Sequence, residues 1–176
     1  MIWSKLNPMP ESVRDRCTKS HEYIFLLSKR ERYYFDAAAI AEDAMPEHAG
    51  RYKYAFSGSK DGQTEAMPLG YTIHPEGERE FSGKRNKRSV WNVTTQGYSE
   101  AHFATFPPKL IEPCILAGSS VGDVVLDPFM GSGTVAKVAQ LLGRRWIGIE
   151  LNPSYVVMQK RRAAQTGLEL HAMNST

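Results

Sequence analysis

"VVLDPFMGSGT", Val124 to Thr134, is the stretch on which the reading of this chain turns. An apolar run ends in a carboxylate, a proline fixes the chain direction, and Gly131 and Gly133 follow. The next segment, "TVAKVAQLLG", has apolar residues at helical spacing, and "RWIGIEL" after it reads as a second strand. Strand, glycine turn, helix and strand together predict a parallel α/β sheet of the Rossmann type. In such sheets ligands sit beyond the carboxyl ends of the strands, where the following helix begins. "DPFMGSGT" occupies that place. Gly131 and Gly133 admit positive φ and let a ligand approach the main chain with no Cβ in the way. With Ala136 they satisfy a loose G-x-G-x-x-A pattern. Glu150 ends the next strand about 20 residues on, where a carboxylate can hold ribose hydroxyls. The pattern favours a nucleoside-bearing cofactor over a plain tight turn with a solvated Glu150.

Asp127 narrows the choice. A dinucleotide site brings the main chain against a pyrophosphate, and a carboxylate beside the glycines opposes that. The same carboxylate suits a cofactor with cationic groups. S-adenosylmethionine carries an ammonium and a sulfonium and has no phosphate. Phe129 offers an apolar wall. An NAD-linked oxidoreductase rests on the glycine pattern alone, and both Asp127 and the lack of obvious hydride-transfer residues argue against it.

Outward from this stretch, "PPKLIEPCILAGS" predicts a helix with proline in its first turn and Pro113 as a possible kink. A strand is expected at Asp123–Leu126, a helix in "PSYVVMQKRRAAQTG" with Asn152 as its cap, and a last strand in "LELHAM". Near the N-terminus "EYIFLLSK" reads as a buried strand, "IWSK" as its antiparallel neighbour, and "RYYFDAAAI" as another short strand. Residues 41–99 lack a regular pattern and are too long for a connecting loop, which marks an inserted element. A chain of 176 residues, 41% apolar and 23% charged, is a soluble globular protein with room for one domain and its insertion. The net charge of +3 permits a polyanionic partner without requiring one. Cys17 and Cys114 form no CxxC pair, so neither a disulfide framework nor a metal is expected. No signal peptide or membrane span is expected either, and the cytoplasm is the expected compartment.

"VVLDPFMGSGTVAKVAQLLGRRWIGIELNPSY" resembles the cofactor half of the DNA amino-methyltransferases that modify adenine N6 or cytosine N4. "AHFATFPPKLIEPCILAGS" resembles the family's preceding cofactor motif. "IWSKLNPMPESV" and "HEYIFLLSK" resemble its late-sheet hairpin, and "RNKRSVW" its approach to the cofactor motif. The order hairpin, variable region, cofactor motif is similar to the family's β type, found in phage and restriction-modification settings. The resemblance implies a Rossmann-like, S-adenosylmethionine-dependent methyltransferase fold in three parts: hairpin region 1–40, DNA target-recognition region 41–99, and cofactor half 100–176. It implies that Asp127, Pro128, Phe129, Gly131, Ser132, Gly133 and Thr134 line the methionine end, and that Glu150 takes the ribose. His102, Phe106 and Pro107 would close the pocket; His102 reads equally well as an interior histidine, and Phe106 as core.

In the family an Asp/Asn/Ser-Pro-Pro-aromatic motif holds the flipped base. In the β-type order it precedes the hairpin, and the 176 residues do not contain it. "NPSY", Asn152 to Tyr155, is a decoy, because it follows Glu150 on the wrong strand. The expectation is therefore an incomplete sheet lacking the catalytic strand and its neighbour, in a truncated or split enzyme. Such a chain would need a complementing N-terminal methyltransferase chain, or would self-associate through its exposed edges. The rival is a non-catalytic remnant that binds cofactor or DNA. Lys84, Arg85, Lys87 and Arg88, next to Trp91, would hold phosphates of double-stranded DNA, or form a solvated charged loop. Bacterial or phage-infected cells are the implied host.

Overall fold

The computed structural model describes residues 1–45, 71–73, 79–96 and 105–162, with the backbone alone at 71–73 and 79–81. The chain divides into two compact units, Met1–Phe35 with Ser89–Thr176, and Asp36–Arg88.

In the first unit, β8 (Val124–Asp127) and β9 (Arg145–Gly148) pair in parallel, with Val125 opposite Trp146 and Asp127 opposite Gly148. A parallel pair needs a crossover, and α2 (Thr134–Leu141) supplies it. Val135, Ala136, Val138 and Ala139 are buried on one stripe of α2 and cluster with Met130 and Ile115; Val125 and Trp146 pack against them. Alanine at 136 and 139 lets the helix lie close on the strands. Strand alternation sends Val124, Leu126 and Ile147 to the opposite face, where they are exposed. Parallel sheets are normally covered on both faces. This one is covered on the α2 face alone among the described residues.

A second sheet has the order β2-β1-β7. β1 (Ile2–Ser4) runs antiparallel to β2 (His21–Tyr23), as "IWSK" beside "EYIFLLSK" predicted, and parallel to β7 (Val90–Asn92). Trp3 and Trp91, opposite one another, are buried with Leu110, and the Trp3 indole donates to the Val93 carbonyl at 2.7 Å. α1 (Pro108–Gly118) joins the two clusters, with Leu110 in one and Ile115 in the other. Pro108 stands in its first turn, and Pro113 lies inside without ending it. One guanidinium secures two helix ends: Arg144 donates to the carbonyls of Ser119, the C-cap of α1, at 2.7 Å and of Leu142, the C-cap of α2, at 2.6 Å. A third helix, α3, begins at 153 and is described to 162. The Asn152 side chain accepts from the Ser154 amide at 3.0 Å, the expected cap.

Two strand predictions need correcting. In "EYIFLLSK" only Glu22 and Tyr23 are strand, the end of β2, and Phe25 and Leu27 are 77% and 88% exposed rather than buried. β2 is the outer strand of its sheet; Ile24 still packs against the Trp3, Trp91 and Leu110 cluster, while the rest of the apolar run lies past the strand and is exposed. "RYYFDAAAI" forms no strand; its second half, 37–40, is turn, where Asp36 accepts from the Ala39 amide at 2.9 Å. An Asx-type bond competes with a ladder. "LELHAM" lies outside the described residues.

The second unit contains β3 (Glu42–Asp43) paired with β6 (Lys84–Arg85), and β4 (Tyr71–Ile73) paired with β5 (Arg79–Phe81), both antiparallel.

Candidate functional site

The glycine loop between β8 and α2 is built as its residue types demand. Asp127 closes β8 and its Oδ1 accepts from the Phe129 amide at 2.9 Å, an Asx turn that swings the chain off the strand. Gly131 and Gly133 have φ of +52° and +84°, and Gly133 is the N-cap of α2. Side chains at these φ values are strained. The first turn of α2 has no side-chain cap and no acidic residue, which leaves its amide dipoles uncompensated on the loop side.

Glu150, two residues past β9, takes hold of this loop. Its Oε2 accepts from the Gly131 amide at 2.7 Å and its Oε1 from the Asn152 amide at 2.8 Å. The strand ladder continues into the same region, with Ile149 N–H donating to the Asp127 carbonyl and Met130 N–H to the Ile149 carbonyl, each at 3.0 Å. Each carboxylate oxygen has two acceptor directions. Glu150 therefore keeps capacity for two hydroxyl donors while both backbone bonds hold its plane fixed. The loop is held from α3 as well. Gln159, buried, donates to the Gly131 carbonyl at 2.7 Å, and Arg162 Nη1 donates to the Ser132 carbonyl at 3.0 Å and its hydroxyl at 2.9 Å. Neither Gln159 nor Arg162 was expected from the sequence, where a glutamine and an arginine in a helix carry no pattern. Asn152 caps α3 through its side-chain oxygen.

A cleft of about 530 Å³ opens beside the loop, lined by Phe106, Ile111 and Ile115 on one side and Leu126, Asp127 and Phe129 on the other. Asp127 lines the cleft; Glu150 does not, but grips the loop that does. Phe129 is 89% exposed, Phe106 is partly exposed, and Pro107 is fully buried at the start of α1. Ser132, Gly133 and Thr134 are buried, Gly131 is half-buried, and Pro128 is exposed. His102 lies outside the described residues. Among the described residues no three metal-ligating side chains gather, and no helix is long and apolar enough to cross a membrane.

In the second unit, the four cations at 84–88 are engaged by carboxylates of β3. Lys84 pairs with Asp43 at 2.5 Å, and Arg88, Arg85 and Lys87 surround Glu42 at 3.2, 3.4 and 3.5 Å. Partial burial pushes the Glu42 carboxyl up, but the Arg88 hydrogen bond and the charges of Lys87 and Arg88 outweigh it and hold the group below the usual glutamate range.

A family model described as DNA methylase matches residues 1–161. The Type II methyltransferase M.Cfr9I of Citrobacter freundii is 45% identical over 89% of this chain and 40% of its own length. M.XycI of Xanthomonas campestris pv. cyanopsidis is 43% identical over 92% of this chain and 42% of its own length. The chain thus spans about two fifths of the curated relatives it matches. A solved structure of an M1.HpyAVI–SAM complex superposes with a TM-score of 0.53 at 22% identity, over 92% of this chain and 58% of that one, a likeness of fold.

Proposed function

Because this chain belongs to the DNA methylase family, we propose that it is the cofactor-holding part of a site-specific DNA methyltransferase that methylates an exocyclic amine, adenine N6 or cytosine N4. The observation that carries this reading is the junction of β8, the glycine loop and Glu150: one carboxylate at a strand end, two positive-φ glycines, and a second carboxylate bound to the loop amide. The residues fit S-adenosylmethionine. Asp127 offers a negative charge to an ammonium, the uncapped first turn of α2 suits a carboxylate, and Glu150 has acceptor capacity left for a ribose diol. When bound, that cofactor supplies an electrophilic methyl group on a sulfonium. The loop residues fix where the methyl lies, so the chain contributes position rather than proton transfer. Phe106, Phe129 and Pro107 shield the methionine end.

The amine must be held by a Pro-Pro-aromatic motif, and the 176 residues have none. Methyl transfer therefore needs that motif from a complementing segment; the exposed face of β8 and β9 supports such a partner, or self-association in its absence. Residues 41–99 form the target-recognition region, in which Lys84, Arg85, Lys87 and Arg88 meet the phosphates of double-stranded DNA by exchanging carboxylate partners. Calorimetric titration of the chain with S-adenosylmethionine should give saturable binding. Addition of a chain carrying the missing motif should then move labelled methyl groups onto duplex DNA. Binding without transfer would favour a non-catalytic remnant. No binding at all would remove the reading.

A further inference from the structure

The side chains that hold the glycine loop come from three places, and the two on α3 have no counterpart in the proposed site. Gly131 is bracketed, its amide donating to Glu150 at 2.7 Å and its carbonyl accepting from Gln159 at 2.7 Å. The next carbonyl, Ser132, is taken by Arg162 at 3.0 Å, and the same guanidinium nitrogen reaches the Ser132 and Thr134 hydroxyls at 2.9 and 3.4 Å. Gln159 is buried and also packs on Gly133, where an added Cβ would meet its Cγ at 3.1 Å. The second glycine is thus required both by its φ of +84° and by the glutamine lying against it.

Two consecutive carbonyls turned to donors on α3 are two carbonyl dipoles withheld from any ligand carboxylate at the loop. We propose that Gln159 and Arg162 are positioning residues for cofactor binding: they set the peptide planes of Gly131 and Ser132 from behind, so that the loop meets the amino-acid end of the cofactor with its carbonyls already satisfied. This rests on the S-adenosylmethionine reading above. The pair touches the loop and does no chemistry. Its substitution should therefore act on the amino-acid end and leave recognition of the nucleoside to Glu150.

Titrating S-adenosylmethionine and, separately, adenosine against the 176-residue chain and its Gln159→Leu, Gln159→Glu and Arg162→Lys variants tests this. Gln159→Leu leaves the half-buried Gly131 carbonyl without this donor and should weaken S-adenosylmethionine roughly tenfold, with adenosine affinity changed less than twofold. Gln159→Glu sets a carboxylate against the Gly131 carbonyl at neutral pH, near Glu150 and Arg162. Once protonated it can donate again, so its deficit relative to wild type should shrink from pH 7 to pH 5, while that of Gln159→Leu stays constant. Arg162→Lys keeps the charge and one donor and should lose less than Gln159→Leu. Equal loss of both ligands, no loss of either, a Gln159→Glu deficit independent of pH, or loss of the thermal unfolding transition in Gln159→Leu would each overturn the assignment. A wild-type chain that binds neither ligand would instead remove the cofactor reading beneath it.

Discussion

At the scale of single residues, the two carboxylates are separable by their bonds. Asp127 uses one oxygen for the Phe129 amide, and asparagine can accept there equally well. Asp127→Asn should therefore keep the turn and the unfolding midpoint while losing the charge opposite the ammonium, with S-adenosylmethionine binding weakened about tenfold by calorimetry. Glu150 spends both oxygens on amides. Glu150→Gln turns an NH₂ toward one of those donors, so it should weaken adenosine and S-adenosylmethionine together by a similar factor. The glycine turn and the Asn152 cap were legible in the sequence, because positive φ and capping are local to the residues that adopt them; the Asp127 turn onto Phe129 was not foreseen. Nor were Gln159 and Arg162. They act across 28 and 30 residues through a packing angle that no local pattern encodes.

Among the elements, β9 meets the loop most tightly at Gly148. A Cβ there would lie 2.2 Å from Met130 Cε and 2.9 Å from its Cγ. Met130 is buried in the α2 cluster and cannot withdraw freely, so Gly148→Ala should cost about 1–3 kcal/mol in urea unfolding. The β8–α2–β9 order was readable from period and punctuation, because a parallel crossover forces one strand, one turn and one amphipathic helix in succession. The N-terminal strands were not readable to the same extent. "EYIFLLSK" has a buried strand's composition, yet its burial depends on neighbours beyond the run itself. In the second unit, the ion pairs of β3 with residues 84–88 give a pH dependence. The Glu42 carboxyl is held below its ordinary value near 4.5. Its contribution is thus full above that pH and is lost as pH falls through the folded-state value. The difference in urea midpoint between wild type and Glu42→Gln should accordingly shrink below pH 4.5.

For the molecule as a whole, charge and exposed apolar surface set its behaviour toward partners. Glu42 holds three cations that the proposed DNA contact would offer to phosphate. Glu42→Gln should raise affinity for duplex DNA and steepen its salt dependence by roughly 0.9 in the log–log slope for each phosphate newly engaged. Leu126, Ile147 and Ile149 are 60%, 55% and 53% exposed. The isolated chain should therefore bind an apolar fluorescent dye and associate with rising concentration, and Leu126→Lys with Ile147→Lys should suppress both. The doubly bonded guanidinium of Arg144 has a consequence for how this structure comes apart. Because one side chain ties the ends of α1 and α2, neither terminus can fray without releasing the other. Hydrogen exchange should find the last turns of both helices opening as a single cooperative unit, and Arg144→Met should split that unit into two.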